Sequence, residues 1–136
     1  FAVSTDVINN GTTSSGTTGI ESTMYIGDYP IGTVQNRGTV KVQENGIGIL
    51  GIASMVTNDG VISIEGSNSE GIIIYNPISG ISAGLKNNAP IVSDWDKENV
   101  VLISLTGNGT EELNSAYLYN NADLTALGEN SLAIYS

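Results

Sequence analysis

The stretch Asp94-Trp95-Asp96-Lys97-Glu98-Asn99 sets acids at alternating positions, the arrangement that opens a calcium-binding loop. A full loop of that kind also needs Gly at its sixth position and Glu at its twelfth. Asn99 and Leu105 stand there instead, and the Gly-Gly-x-Gly-x-Asp nonapeptide of calcium-binding β-rolls is missing. The stretch therefore reads as a solvated loop, with no metal and no cofactor expected. Trp95 is the one tryptophan and lies between Asp94 and Asp96. A partly exposed aromatic can anchor a sugar or a protein partner, and it can equally act as a lid on the core. Tyr75, at the end of an apolar run, is a second contact candidate. Glu111 and Glu112 form a carboxylate pair, and two carboxylates suffice for glycoside hydrolysis. Adjacent acids usually point apart, and no pattern sets one pair above the others. Neither Gly-x-Ser-x-Gly nor Ser-x-x-Lys stands out as a catalytic motif. The chain has no Cys and no His, which excludes disulfides, Cys/His zinc sites and nucleophiles activated by His. These readings point away from an enzyme.

The elements that would position such residues follow from composition. The 136 residues fit a single segment. Four basic residues stand against 14 acidic ones, for a net charge of -10. That charge repels phosphate backbones, so no nucleic-acid partner is expected, and it argues against anionic partners in general. At 40% hydrophobic and 13% charged residues, the chain has apolar surface enough to fold. The apolar set is β-branched and aliphatic, and the polar set is made of turn formers. That pairing favours many short strands, whereas 17 Gly spread along the chain would interrupt any long helix. The apolar runs are far shorter than the ~20 residues of a membrane helix, so no membrane insertion of this segment is expected.

An internal repeat refines the all-β reading. Val7-x-Asn9-x-Gly11 returns as Val34-x-Asn36-x-Gly38, as Val56-x-Asn58-x-Gly60, and in decayed form as Leu118-x-Asn120-x-Ala122. A short alternating strand follows, with Val40, Val42, Ile62, Ile64, Leu124 and Ala126 expected to face inward. A Gly/Asn/Ser turn and a second strand come next, so that Gly66–Ile72 matches Gly128–Ile134. Asn45-Gly46-Ile47-Gly48-Ile49 is a shortened version of the same turn and strand, and Gly19-Ile20 is its counterpart in the first copy. One such unit cannot bury its own apolar stripe, but a stack of them can. The expected fold is a parallel β-helix (β-solenoid), with two further copies hidden between 76 and 117 to make about six coils. An irregular excursion is expected over about 76–99, with Lys86-Asn87-Asn88-Ala89-Pro90 as a loop. The alternative is an antiparallel β-sandwich fibre subunit. The recurrent Asn and Gly suit left-handed corners, and stacked Asn side chains can also hydrogen-bond in a ladder along the axis.

The phrase from Val56 to Ile72, with its Asn-x-Gly turn, alternating strand, Gly/Asn/Ser turn and Gly-Ile, resembles the passenger repeats of type V autotransporter adhesins, closest in flavour to the long fusobacterial-type passengers. The likeness covers about 34–75 and returns at 118–136. It implies a right-handed β-helix at the bacterial cell surface or beyond, holding binding loops away from the cell, and it transfers no catalytic residues. The expected role is a non-enzymatic adhesin or stalk segment whose partner is a host-cell or bacterial surface protein or glycan. The alternative is a self-associating subunit of an extracellular fibre or pilus, since open coil ends expose unpaired strands.

Overall fold

The computed structural model describes residues 6–16, 18–23, 32–77, 82–107 and 116–136, which contain strands and no helix. The first sheet is built from β1 (Asp6–Asn9), β4 (Thr33–Asn36), β7 (Met55–Asn58), β10 (Ala83–Asn87) and β13 (Ala116–Asn120). The second holds β2 (Thr12–Ser15), β5 (Thr39–Val42), β8 (Ile62–Ile64), β11 (Ile91–Ser93) and β14 (Leu124–Ala126). The third holds β3 (Thr18–Thr23), β6 (Ile47–Ile52), β9 (Glu70–Asn76), β12 (Val101–Gly107) and β15 (Leu132–Tyr135). Every pairing among them is parallel, and each strand pairs with its equivalent one rung away. The fold is a parallel β-solenoid, and the antiparallel sandwich is not what forms.

The chain visits each sheet five times, so there are fewer coils than the six expected. The reason lies between 76 and 117. That interval holds one hidden repeat, Leu85-x-Asn87-x-Ala89, whose Leu85 pairs with Val56 on one side and Leu118 on the other. Steps of 29 and 33 residues separate Asn87 from Asn58 and from Asn120, where shorter steps were assumed. The extra length sits at the corner that returns the chain from the third sheet to the first. In the second rung this corner needs only Ala53 and Ser54, between β6 and β7. Between β9 and β10 it spans six residues, of which 78–81 lie outside those described.

β10 and β11 therefore fall inside the stretch read as an excursion over 76–99, and Lys86-Asn87 are strand rather than loop. Turn-forming residue types suggested a loop, but stacking overrides them. Leu85 and Ile91 are fully buried because the apolar columns above and below them are already in place. Glu111 and Glu112 lie outside the described residues.

The core consists of in-register columns. Val34 stacks on Val56 and Leu85, and Val40 on Ile62 and Ile91. Ile49, Ile72 and Ile103 form a third column, again with no exposure. Val40, Val42, Ile62 and Ile64 face inward as the alternation required, while Leu124 and Ala126 are only half-buried because they belong to the last rung. Burying each Val, Leu or Ile contributes about 1.5–3 kcal/mol. Replacing Ile72 by Ala empties a site roofed and floored by Ile103 and Ile49. The expected loss is about 2–5 kcal/mol, read as a lower midpoint of urea unfolding.

Candidate functional site

The recurrent Asn residues sit at the ends of the first-sheet strands and form one continuous side-chain ladder. Asn9 Nδ2 donates to Asn36 Oδ1 at 2.9 Å, and Asn36 to Asn58 at 2.7 Å. Asn58 donates to Asn87, and Asn87 to Asn120, each at 2.7 Å. Asn120 Nδ2 closes the row on the Ala122 carbonyl, also at 2.7 Å. Asn36, Asn58 and Asn87 are fully buried. Asn87 escaped the sequence reading because it stands 29 residues from Asn58 and 33 from Asn120, off the shorter period expected.

The glycines of this corner answer a different need from the one expected. Gly38 and Gly60 do not have left-handed backbones. A Cβ on Gly60 would run into the Gly38 carbonyl, and one on Gly38 into that of Gly11. The left-handed asparagines form another row, Asn45, Asn68, Asn99 and Asn130, at the corner between the second and third sheets, with φ of 54–59°, and Ala53 at the return to the first sheet is left-handed too, at 48°. Asn99 Nδ2 donates to Asn68 Oδ1 there at 3.0 Å.

Trp95 projects from that second corner and is 78% exposed. Asp94 and Asp96 flank it, also exposed. Lys97 Nζ lies 2.8 Å from Asp96 Oδ2, and this hydrogen bond holds the Asp96 carboxyl below its usual range and the Lys97 ammonium above its own. Among the described residues no three carboxylates come together in a metal-binding group. Tyr75 is 38% exposed near the far end of β9, and its neighbour in register is Thr106. Trp95 sits at the corner preceding the third sheet, so the structure does not bring the two aromatics together. Gly80-Ile81-Ser82-Ala83-Gly84 spells Gly-x-Ser-x-Gly, but it leads into strand β10, and the chain has no His to act as base.

The outer face of the first sheet carries residues that the sequence reading did not single out. Tyr117 lies over Gly84, where a Cβ would sit 2.6 Å from its ring, and its hydroxyl donates to Met55 Sδ at 3.1 Å. Tyr119 stands edge-on to Tyr117 at 5.8 Å between ring centroids and is 65% exposed. Alternation about the inward Leu118 is the signal that could have placed both rings outside. Lys86 is the register neighbour of Tyr119. Beside them runs a second row of polar side chains. Asn121 donates to Asn88 at 2.9 Å, Asn88 to Asp59 at 2.8 Å, and Gln35 to Asp59 at 3.3 Å. The bonds from Asn88 and Gln35, with Lys86 and Arg37 nearby, hold the Asp59 carboxyl below its usual range.

No family model matches the chain, and neither a curated protein nor a solved structure matches it.

Three outcomes are expected from this geometry. Asn58→Ala strands the Asn36 amide donor and the Asn87 acceptor in the interior, at about 1–3 kcal/mol for each unsatisfied group, measurable by urea unfolding. Ser93 Oγ is buried without a partner among the described residues, in the column between Ile64 and Ala126. Ser93→Val removes the unmet hydroxyl and is expected to raise stability by about 1 kcal/mol. Glu70 lies between Ile47 and Val101, and burial raises its carboxyl pKa. Folding thus favours the protonated form, and that contribution is complete below the unfolded carboxyl range and lost as pH rises through the folded value. Glu70→Gln should therefore raise the urea midpoint at pH 7 and leave it unchanged near pH 3.

Proposed function

We propose that this chain is a non-enzymatic segment of an extracellular adhesin at a bacterial cell surface, a stiff spacer that presents side chains for binding to a host-cell or bacterial surface protein or glycan. The observation that supports this reading most directly is the unbroken Asn ladder through all five rungs. A row of buried amide bonds running along the axis resists bending and shear, which is what a spacer needs. The exposed indole at the Asp94-Trp95-Asp96 corner is the contact offered by the coil's edge.

The test is attachment of beads coated with the chain to mammalian cells and to bacterial partners, comparing wild type with Trp95→Ala. At least tenfold weaker attachment is expected for the variant. Unchanged attachment would remove the corner from the binding site, and no attachment by either protein would overturn the adhesin reading.

A second reading, a self-assembling fibre subunit, is favoured by one observation. Leu132 and Ile134, in the last rung described, are 48% and 46% exposed, where their column neighbours Val101 and Ile103 are half-buried and fully buried. Small-angle scattering over a concentration series separates the two. Growth with concentration supports assembly, and an unchanging rod supports the spacer.

A further inference from the structure

The three sheets present different outer faces. Alternation about the buried columns sets Gln35, Thr57 and Lys86 outside on the first sheet, and Lys41, Ser63 and Thr125 outside on the second. The third sheet differs. Flanking its buried Ile49–Ile72–Ile103 column stand Ile47, Leu50, Ile52, Ile73, Tyr75 and Val101, each half-buried or exposed. Ser104, in register between Ile73 and Tyr135, is small enough to be covered by those neighbours. In β6, β9, β12 and β15 Glu70 is the one charged residue, and β3 adds Glu21 in the first rung. The Glu70 carboxylate is half-buried between Ile47 and Val101, and no hydrogen bond from the described residues offsets that burial. Five strands spaced ~4.8 Å apart, each about six residues long at ~3.3 Å per residue, make a face of about 24 by 20 Å, or about 500 Å². An apolar patch of several hundred Å² on a folded chain marks an interaction site.

The occupant follows from shape, size and charge. A sheet face packs on a second sheet face at about 10 Å, with the side chains interdigitating, and two-fold association sets one patch against itself. Two such faces together bury about 1,000 Å², the lower bound of a specific interface and the size of a weak, reversible one. Charge selects between the two ways of pairing them. Glu44, Glu65, Asp94, Asp96, Glu98 and Glu129 are exposed and line the corner between the second and third sheets. Lys41 and Lys97 pair with Glu65 and Asp96 within that ridge. The ridge therefore borders one side of the third-sheet face. The return corners on the other side, Ala53-Ser54 and Asn76-Pro77, carry no charge. A two-fold axis along the strands would lay ridge beside ridge, in a chain of net charge -10. A two-fold axis along the coil reverses the strand direction and lays each ridge beside an uncharged return corner. The ridges then stand about a strand length apart, ~20 Å, beyond the Debye length of about 8 Å. We infer that the outer face of the third sheet is the interface of a side-by-side dimer of this chain, with coil axes parallel, Ile73 near the two-fold axis and Tyr75 of each copy over Glu70 of the other. Glu70 and Tyr75 lie on either side of Ile73 in β9, so reversing the strand brings the phenol of one copy to the carboxylate of the other as a hydrogen-bond donor. Such a pair closes at two copies, unlike end-to-end assembly. The inference goes beyond the spacer reading and does not depend on it.

The experiment is sedimentation equilibrium of the full chain from about 1 μM to about 1 mM at physiological salt. The expected result is a monomer–dimer equilibrium with no larger species. It is weakened at least tenfold by Ile73→Glu and by Tyr75→Glu, and unaltered by Thr57→Glu on the outer face of the first sheet. None of the three side chains is buried, and unchanged melting at the dilute end verifies that the variants fold. A bis-maleimide is expected to couple Leu50→Cys copies into dimers, because the two-fold axis runs past the Leu50–Ile73–Ser104 column in every rung. An axis along β9 would set Leu50 against Ser104 instead. The chain has no other Cys to react. A chain that stays monomeric at millimolar concentration would overturn the proposal. So would a dimer that survives both third-sheet variants, growth beyond two copies, or no coupling of Leu50→Cys.

Discussion

The structure depends on one constraint: equivalent residues must lie directly above one another, rung after rung. Parallel in-register pairing places like on like, and the buried Asn ladder is where that constraint is strictest. An apolar column tolerates exchange of Val for Leu or Ile, as the column from Val34 through Val56 to Leu85 demonstrates. An amide in the interior tolerates no such freedom, because each carries a donor and an acceptor that only another amide at the same height satisfies together. Slipping one strand by a single residue would leave buried amides unmet and turn its apolar side chains outward. The ladder therefore sets the register of the first sheet, and the other two sheets inherit it through short corners.

Conformational variety is confined to where the ladder does not reach. The corner after the first sheet is short in every rung that is described, and its backbone amides bond to the rung before, as when Asp59 N donates to Asn36 O and Asn88 N to Asn58 O. The second corner is held by the left-handed Asn row. Most length accumulates at the return from the third sheet, where Ala53 and Ser54 suffice in one rung and longer connections serve in others, and some at the second corner, which grows from 43–46 to 94–100. Insertions there leave the columns intact, so the coil extends without changing its cross-section.

The outer surface is a by-product of the same stacking. Outward residues also fall into columns, so one substitution every 22 to 33 residues is enough to build a patch along the axis. The acidic ridge, the amide row and the tyrosine pair all arise this way. Gly84 shows how a single position matters, since the absence of its side chain lets Tyr117 lie flat against the sheet and reach Met55 across two rungs.

The residue order by itself determined the all-β class, the parallel stacking and the inward faces of β5 and β8, because period-2 alternation and a repeated Asn-x-Gly corner are local signals. It also carried the match between Gly66–Ile72 and Gly128–Ile134, which the pairing of Val101 with both Glu70 and Leu132 reproduces. Only the tertiary structure decided the number of rungs, since the lengthened connections hid the period and with it the copy at Leu85-x-Asn87. It alone revealed which Asn row is left-handed, because side-chain ladders and αL corners draw on the same residue type. It alone separated the charges, because net charge is a sum over the chain, whereas a field at a surface depends on which residues share a side of the coil. Residues 22 to 33 apart in sequence become nearest neighbours here, and no local pattern encodes that proximity.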